Sequence, residues 1–407
     1  MSRLSTAIGA RLAATLETGR GGPEHSGALD GIRGLAVFMV FFTHYQPWID
    51  KWIPMGTTTA AISRILGDLG NAGVDLFFVL SGYLIYGTLI RRPQPFGPFM
   101  ARRLQRLYPT FLVVLLLALP FTLGSLKAMG GGAIGHLVAN LLLLPGIFPI
   151  DPIIIVAWTL SWEMFFYLVT PAMIGALRLR SQPPPRRAAI MVSIWLGMAI
   201  SSGLTTGVGN FRIAYFAGGV AVFEVVNALR DRSTISPRAI GAMGLGSTVV
   251  WLGFTAATSA ALPFDARTGA IDVSGSDGLL WARYGVGLVL VPVIVFSCIA
   301  GTGSLASILS TRFFRWLGNM SYSYYLLHAL VIRAVAEVAM RLVDPSQHLS
   351  VVWWWAALLP VFAATVVASF VLFATVEKPC SLSSDPPVRV VPPAIRRLPF
   401  SRSTTNP

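Results

Sequence analysis

Apolar residues run through this chain in blocks of roughly twenty, parted by short polar stretches that carry glycine, proline and arginine. That block length is what a helix needs to cross a bilayer. The pattern predicts spans near 31–49, 73–90, 105–124, 155–176, 188–204, 212–229, 239–260, 279–300, 318–340 and 351–375. The stretch 134–149 is apolar but short, bounded by Gly135 and Pro145. It predicts a half-helix packed on the outer side, not an eleventh crossing. No internal repeat and no second folded domain is visible. The expected fold is an all-α integral membrane protein of about ten transmembrane helices. It divides into a tail over 1–28, a membrane domain over 29–376 and a basic, proline-rich tail over 377–407.

Composition strengthens this reading. Hydrophobic residues make up 54% and charged residues 12% of the 407 residues, and mean hydropathy is +0.68. A soluble domain is about 25% charged, so a water-facing surface of ordinary polarity is excluded, as are disordered, collagenous and disulfide-framework chains. The net charge of +14 does not call for nucleic acid, because cationic residues of membrane proteins collect in cytoplasmic loops. With the N-terminus inside, 22 of the 31 lysines and arginines fall on inside segments and seven outside, with Arg33 and Arg333 within spans. This asymmetry predicts that both termini are cytoplasmic and that the chain is a multi-pass protein of the inner (cytoplasmic) membrane. The longest outer loop, near 261–278, carries Asp265, Asp272 and Asp277. The first 28 residues hold Arg3, Arg11 and Arg20 but no signal-peptide apolar core, so the first span is expected to be an uncleaved anchor. Cys298 and Cys380 form no ligand spacing with each other or with the five histidines, and no metal site or disulfide is expected.

Ionisable groups inside a bilayer are costly and point by default to function. Arg33 and His44 lie 11 residues apart, which on a helix places both on one face about 16 Å apart along the axis. A buried imidazole suits a general base, because it titrates near neutrality. It equally suits a core histidine bonded to a helix carbonyl, with Arg33 reaching to the interface. Arg103 and Arg106, in RRLQRLYP, share a face at the start of the third span. Two guanidinium forks there suit phosphate or pyrophosphate, and equally suit positive-inside topology or anionic lipid. Glu163, in WTLSWEMFFYLVTP, is placed to orient His44 or to hold a sugar hydroxyl, with Trp158 and Trp162 able to stack on a sugar ring. An interfacial aromatic belt with a water-facing carboxylate fits the same residues. Asp75, Glu224, His328 and the Arg333/Glu337 pair read as structural partners. Residues 130–135 match GxGxxG but follow no strand, so no dinucleotide site is expected.

These segments, taken in order, resemble the acyltransferase family 3 of membrane-bound O-acyltransferases. The blocks are LDGIRGLAVFMVFFTHY, with Arg33 and His44 as R-x10-H, then GVDLFFVLSGYLI, FMARRLQRLYP with RxxR at Arg103 and Arg106, WTLSWEMFFYLVTP, and LGNMSYSYYLLH. Met164 and Phe165 depart from the polar residues often seen after the glutamate, and 188–300 carries no matching block. The resemblance implies a ten-span fold with cytoplasmic termini. It also implies transfer of an acyl group, most often acetyl from acetyl-CoA, onto a hydroxyl of a carbohydrate or glycolipid acceptor. By position it gives the residues needed for activity as Arg33, His44, Arg103 and Arg106.

Acyl-CoA is polyanionic and does not cross a bilayer. The expected scheme docks its phosphates from the cytoplasm on Arg103, Arg106 and Arg33, runs the pantetheine arm along the first span, and presents the thioester to His44 as base or, alternatively, as acyl carrier. Arg33 and His44 are thereby expected to line one continuous tunnel, with Glu163 orienting the imidazole or the acceptor. The competing reading is a transporter or exporter in which the buried arginine and histidine relay protons or substrate.

Overall fold

The computed structural model describes residues 15–16, 27–54, 56–229, 236–262, 277–301, 303–347 and 349–382. Arg3, Arg11, Arg20, Asp265, Asp272 and most of the expected basic tail lie outside them. Among the described residues the chain is helical without strands, apart from one isolated bridge between Pro145 and Phe148. The helices are α1 (Gly27–Ile49), α2 (Thr58–Asn71), α3 (Gly73–Ser81), α4 (Gly87–Arg91), α5 (Phe96–Ala128), α6 (Gly132–Leu141), α7 (Trp158–Ala176), α8 (Pro184–Thr206), α9 (Ala214–Leu229), α10 (Pro237–Ala261), α11 (Asp277–Ile299), α12 (Gly303–Leu309), α13 (Arg312–Asn319), α14 (Ser321–Leu342) and α15 (Val352–Leu372).

Among the described residues seven helical stretches are long and apolar enough to cross a membrane: Thr58–Arg91, Phe96–Ala128, Pro184–Thr206, Val208–Leu229, Pro237–Ala261, Asp277–Ile299 and Val352–Ser381. The other three predicted spans are helices α1, α7 and α14. Their runs are diluted by the polar side chains of interest, Arg33 and His44, Glu163, and His328 with Arg333 and Glu337. Helix α6 has ten residues, which at about 1.5 Å per residue is too short to span. Three helices have no counterpart in the apolar pattern, α2, α12 and α13, because each is short or amphipathic. Starts follow local chemistry: Ser236 Oγ accepts from Ala239 N at 3.2 Å ahead of Pro237, the first residue of α10.

Helix α1 sits inside the bundle and packs on α2, α3, α12, α13 and α14. Its approach to α13 is backbone against backbone. A Cβ on Gly34 would overlap the carbonyl of Phe314, and one on Gly318 would overlap that of Asp30. Between α3 and α4 the chain makes a π-helical segment, Gly82–Tyr86, a wide turn often found at functional sites.

Buried ion pairs tie the remaining helices. Arg212 Nε bonds Asp75 Oδ1 at 2.7 Å, and its other nitrogens reach Asn71. Arg283 contacts Asp68 and also Thr258 and Ser259. Arg187 forks onto Glu224 at 2.7 and 2.9 Å, where the Tyr86 hydroxyl also donates. Asp75 and Glu224 are thus the structural partners the sequence suggested. Arg212 and Arg283 are two of the seven cations that the charge count assigns to outside segments, yet both are interior residues, 3% and 7% exposed, because each meets a carboxylate on another helix. The last span continues past the expected boundary at 377 as a π-helical segment, Phe373–Leu382. There Glu377 accepts from Ser323 N and Oγ at 3.0 and 2.6 Å and so caps the first turn of α14.

Candidate active site

One cavity of about 270 Å³ opens where α1, α3, the π-helical segment, α5, α7 and α14 meet. The arginines arrive from two elements. Arg33 projects from the first third of α1, beside the close α1–α13 crossing, and Arg103 and Arg106 come from one face of the first turns of α5. Glu163 enters from α7, Ser81 from the end of α3, and Ser321, Tyr322 and Tyr325 from α14.

The pairing within this cavity is uneven. Three guanidinium groups face one carboxylate, Glu163. Its Oε1 already accepts hydrogen bonds from the Tyr167 hydroxyl, one helical turn on, and from Ser81 Oγ at 3.3 Å. Arg33 reaches Asp30 on its own helix at 3.5 Å. Arg103 lies over the rings of Phe99 and Tyr167, each centroid 5.4 Å away, and its buried Nε has no hydrogen-bonding partner among the described residues. Arg106 forms no ion pair among the described residues. The cavity therefore carries a surplus of positive charge with donors to spare, beside an apolar wall of Phe77, Leu84 and Ile85. Such a surface suits an anion joined to an apolar or amphipathic arm.

Of the five site residues expected from sequence, the structure brings Arg33, Arg103, Arg106 and Glu163 together. His44 is not in the lining. It is half-buried further along α1, its ring centroid 5.1 Å from that of His328. His328 lies 6.2 Å from the ring of Tyr325, and Tyr325 forms the cavity wall. The expected tunnel is thus interrupted by two aromatic layers, Tyr325 and then His328. The Tyr325 hydroxyl is held by Thr159 Oγ1 at 2.8 Å and by the Val156 carbonyl at 3.2 Å. Glu163 does not touch His44; its bonds run to Tyr167 and Ser81. Trp158 and Trp162 offer no stacking platform in this cavity. Trp158 packs against Phe78, and Trp162 is buried against Phe165.

Sequence reasoning passed over Tyr167, Ser81, Tyr322 and Tyr325. Tyr167 was detectable at four residues from Glu163 on one helix. Tyr325 carried a weaker signal, three residues before His328.

A family model described as an acyltransferase domain matches residues 26–374. The chain belongs to the acyltransferase family 3. It is an acyltransferase with several membrane-type helices, and the transporter reading falls with that assignment. The acyltransferase MdmB of Streptomyces mycarofaciens is 27% identical over 390 residues, covering 87% of this chain and 91% of that protein. The peptidoglycan O-acetyltransferase OatA of Listeria monocytogenes is 26% identical over 86% of this chain, which spans 55% of the OatA length. The exopolysaccharide production protein ExoZ of Rhizobium meliloti is 25% identical over 67% of this chain and 80% of its own. No solved structure matches. Among the described residues no group of three or more side chains suited to a metal ion occurs. An acyltransferase draws the group it moves from an acyl donor.

Proposed function

We propose that this acyltransferase moves an acyl group, acetyl foremost, from cytoplasmic acyl-CoA to a hydroxyl of a carbohydrate or glycolipid acceptor. In this reading it works in the inner membrane as a ten-helix bundle with both termini in the cytoplasm. The observation that carries the proposal is the set of three guanidinium groups, Arg33, Arg103 and Arg106, around a cavity whose single carboxylate is already engaged.

Phosphate groups of the donor supply the missing negative charge. Arg103 and Arg106 hold them as forks, and Arg33 adds a third contact deeper in. Glu163, fixed by Tyr167 and Ser81, balances part of the cationic field and orients the arginines. The apolar wall takes the pantetheine arm, and the thioester advances toward His44 as the Tyr325 ring gives way. His44 takes the proton of the acceptor hydroxyl as its oxygen attacks the thioester carbonyl. The carbon–sulfur bond then breaks, and the imidazolium returns the proton to the departing thiolate. The acceptor class is drawn from relatives whose names specify peptidoglycan and exopolysaccharide.

The test is turnover of labelled acetyl-CoA by purified protein with glycan or glycolipid acceptors, alongside His44→Ala. Transfer by the unaltered protein is expected to exceed that of the variant by about 10²–10⁴-fold. Undiminished transfer by His44→Ala would remove the base assignment. An absence of CoA binding by the unaltered protein would remove the donor.

A further inference from the structure

His328 ends the block LGNMSYSYYLLH and is 0% exposed in the middle of α14. Its Nδ1 lies 2.9 Å from the carbonyl oxygen of Tyr324. A carbonyl only accepts, so Nδ1 carries the proton, and Nε2 of the neutral ring holds a bare lone pair. That nitrogen is buried and has no hydrogen-bonding partner among the described residues. The ring is clamped from one side, stacked on Tyr324 with centroids 5.4 Å apart and planes 8° apart. The neighbour it presents to the site is His44, at 5.1 Å and 60°. Among the described residues His44 has no hydrogen-bonding partner of its own, so nothing else fixes its tautomer. A centroid separation of 5.1 Å is within the reach of a bond between ring nitrogens, and χ2 of His44 is a broad torsion.

We propose that His328 is the positioning residue for His44: its Nε2 accepts the ring N–H of His44, leaving the opposite nitrogen of His44 unprotonated toward the acceptor hydroxyl. This inference rests on the reading of His44 as the base. When His44 takes up the hydroxyl proton, both its nitrogens are protonated, and the bond to Nε2 holds the imidazolium in place until the thiolate reclaims the proton. A neutral imidazole thereby fills the orienting place that a carboxylate fills in serine hydrolases. A carboxylate would need its own counter-charge in this buried layer, and the arginines lie in the cavity on the far side of Tyr325.

The amide of glutamine can place an acceptor near Nε2, whereas that of asparagine reaches only the region of Nδ1. We therefore expect His328→Asn and His328→Leu to lower kcat by about 10- to 100-fold, the usual scale for losing the partner of an oriented imidazole. KM for acetyl-CoA should stay within about two-fold, and His328→Gln should recover most of the rate. Turnover by His328→Asn at the original rate overturns the proposal, and so does a glutamine variant as slow as the asparagine one, which would mark a packing role. The Gln–Asn pair decides the matter whether or not the leucine variant reaches the membrane. His44→Ala run in parallel separates the two readings. An active His44→Ala sinks the base itself, while an inactive His44→Ala beside an active His328→Asn sinks only the role of His328.

Discussion

Two clusters of arginine and acid lie inside this bundle, built from the same residue types and arranged for opposite ends. In the first, Arg212 faces Asp75 and Arg283 faces Asp68, each guanidinium matched to its own carboxylate and further bonded to Asn71 or to Thr258 and Ser259. The space left among them is about 10 Å³, room for one water at most. In the second, Arg33, Arg103 and Arg106 share a space of about 270 Å³ with Glu163 alone. Desolvating a cation is costly, and in the proposed reading the donor's phosphates supply the charge that Glu163 and Asp30 leave unbalanced around this cavity. Charge inside a membrane domain is therefore not by itself the mark of a site; unmatched charge beside empty volume is.

The largest effects should come from breaking the matched cluster. Asp75→Ala leaves Arg212 as an uncompensated buried cation, and removing one partner of a buried pair costs about 3–5 kcal/mol. Thermal unfolding of purified protein in detergent should show that loss, with little folded protein recovered from the membrane. The unmatched cluster should respond the other way. Arg103→Ala or Arg106→Ala deletes a charged hydrogen bond to ligand worth about 1.5–3 kcal/mol, hence roughly a 10- to 100-fold rise in KM for acetyl-CoA. The apparent Tm should be unchanged or raised, since a crowd of like charges is relieved. A fall in Tm as deep as that of Asp75→Ala would show these arginines to be structural, and the contrast between the clusters would collapse.

How much of this was legible in the sequence follows from what each feature depends on. The helices were legible because an apolar run of fixed length is a local property, and each of the ten predicted spans is helical. Arg33, Arg103, Arg106 and Glu163 were legible as polar exceptions in apolar or membrane-edge surroundings, and the fold gathers them. Pairing was not legible. That Arg212 belongs to Asp75, 137 positions away, and is not a loop cation depends on which helices touch. Nothing in the spacing of Arg33 and His44 along α1 reports what stands between them. That depends on α14, whose Tyr325 and His328 intrude at that level. Short amphipathic pieces such as α12 and α13 escaped because they lack the length that made the spans visible.

A third ion pair separates matching from burial and gives the smallest expected effect. Arg333 and Glu337 lie one turn apart on α14, with Nε to Oε1 at 2.8 Å, as their spacing suggested. Their side chains remain 35% and 33% exposed, and Arg333 has other support, bonding the Phe121 carbonyl at 3.0 Å and lying over the rings of Phe121 and Trp48. If matching alone made a pair structural, Glu337→Gln would cost what Asp75→Ala costs. If burial sets the penalty, as the desolvation argument requires, a half-open pair one turn apart is worth less than about 1 kcal/mol. The glutamine variant should then unfold within a few degrees of the unaltered protein and turn over acetyl-CoA at the same rate. A large destabilisation there would mean that the bilayer, and not the protein interior, is the medium that makes these charges expensive. The two clusters would then have to be compared by depth in the membrane instead of by the volume between their side chains.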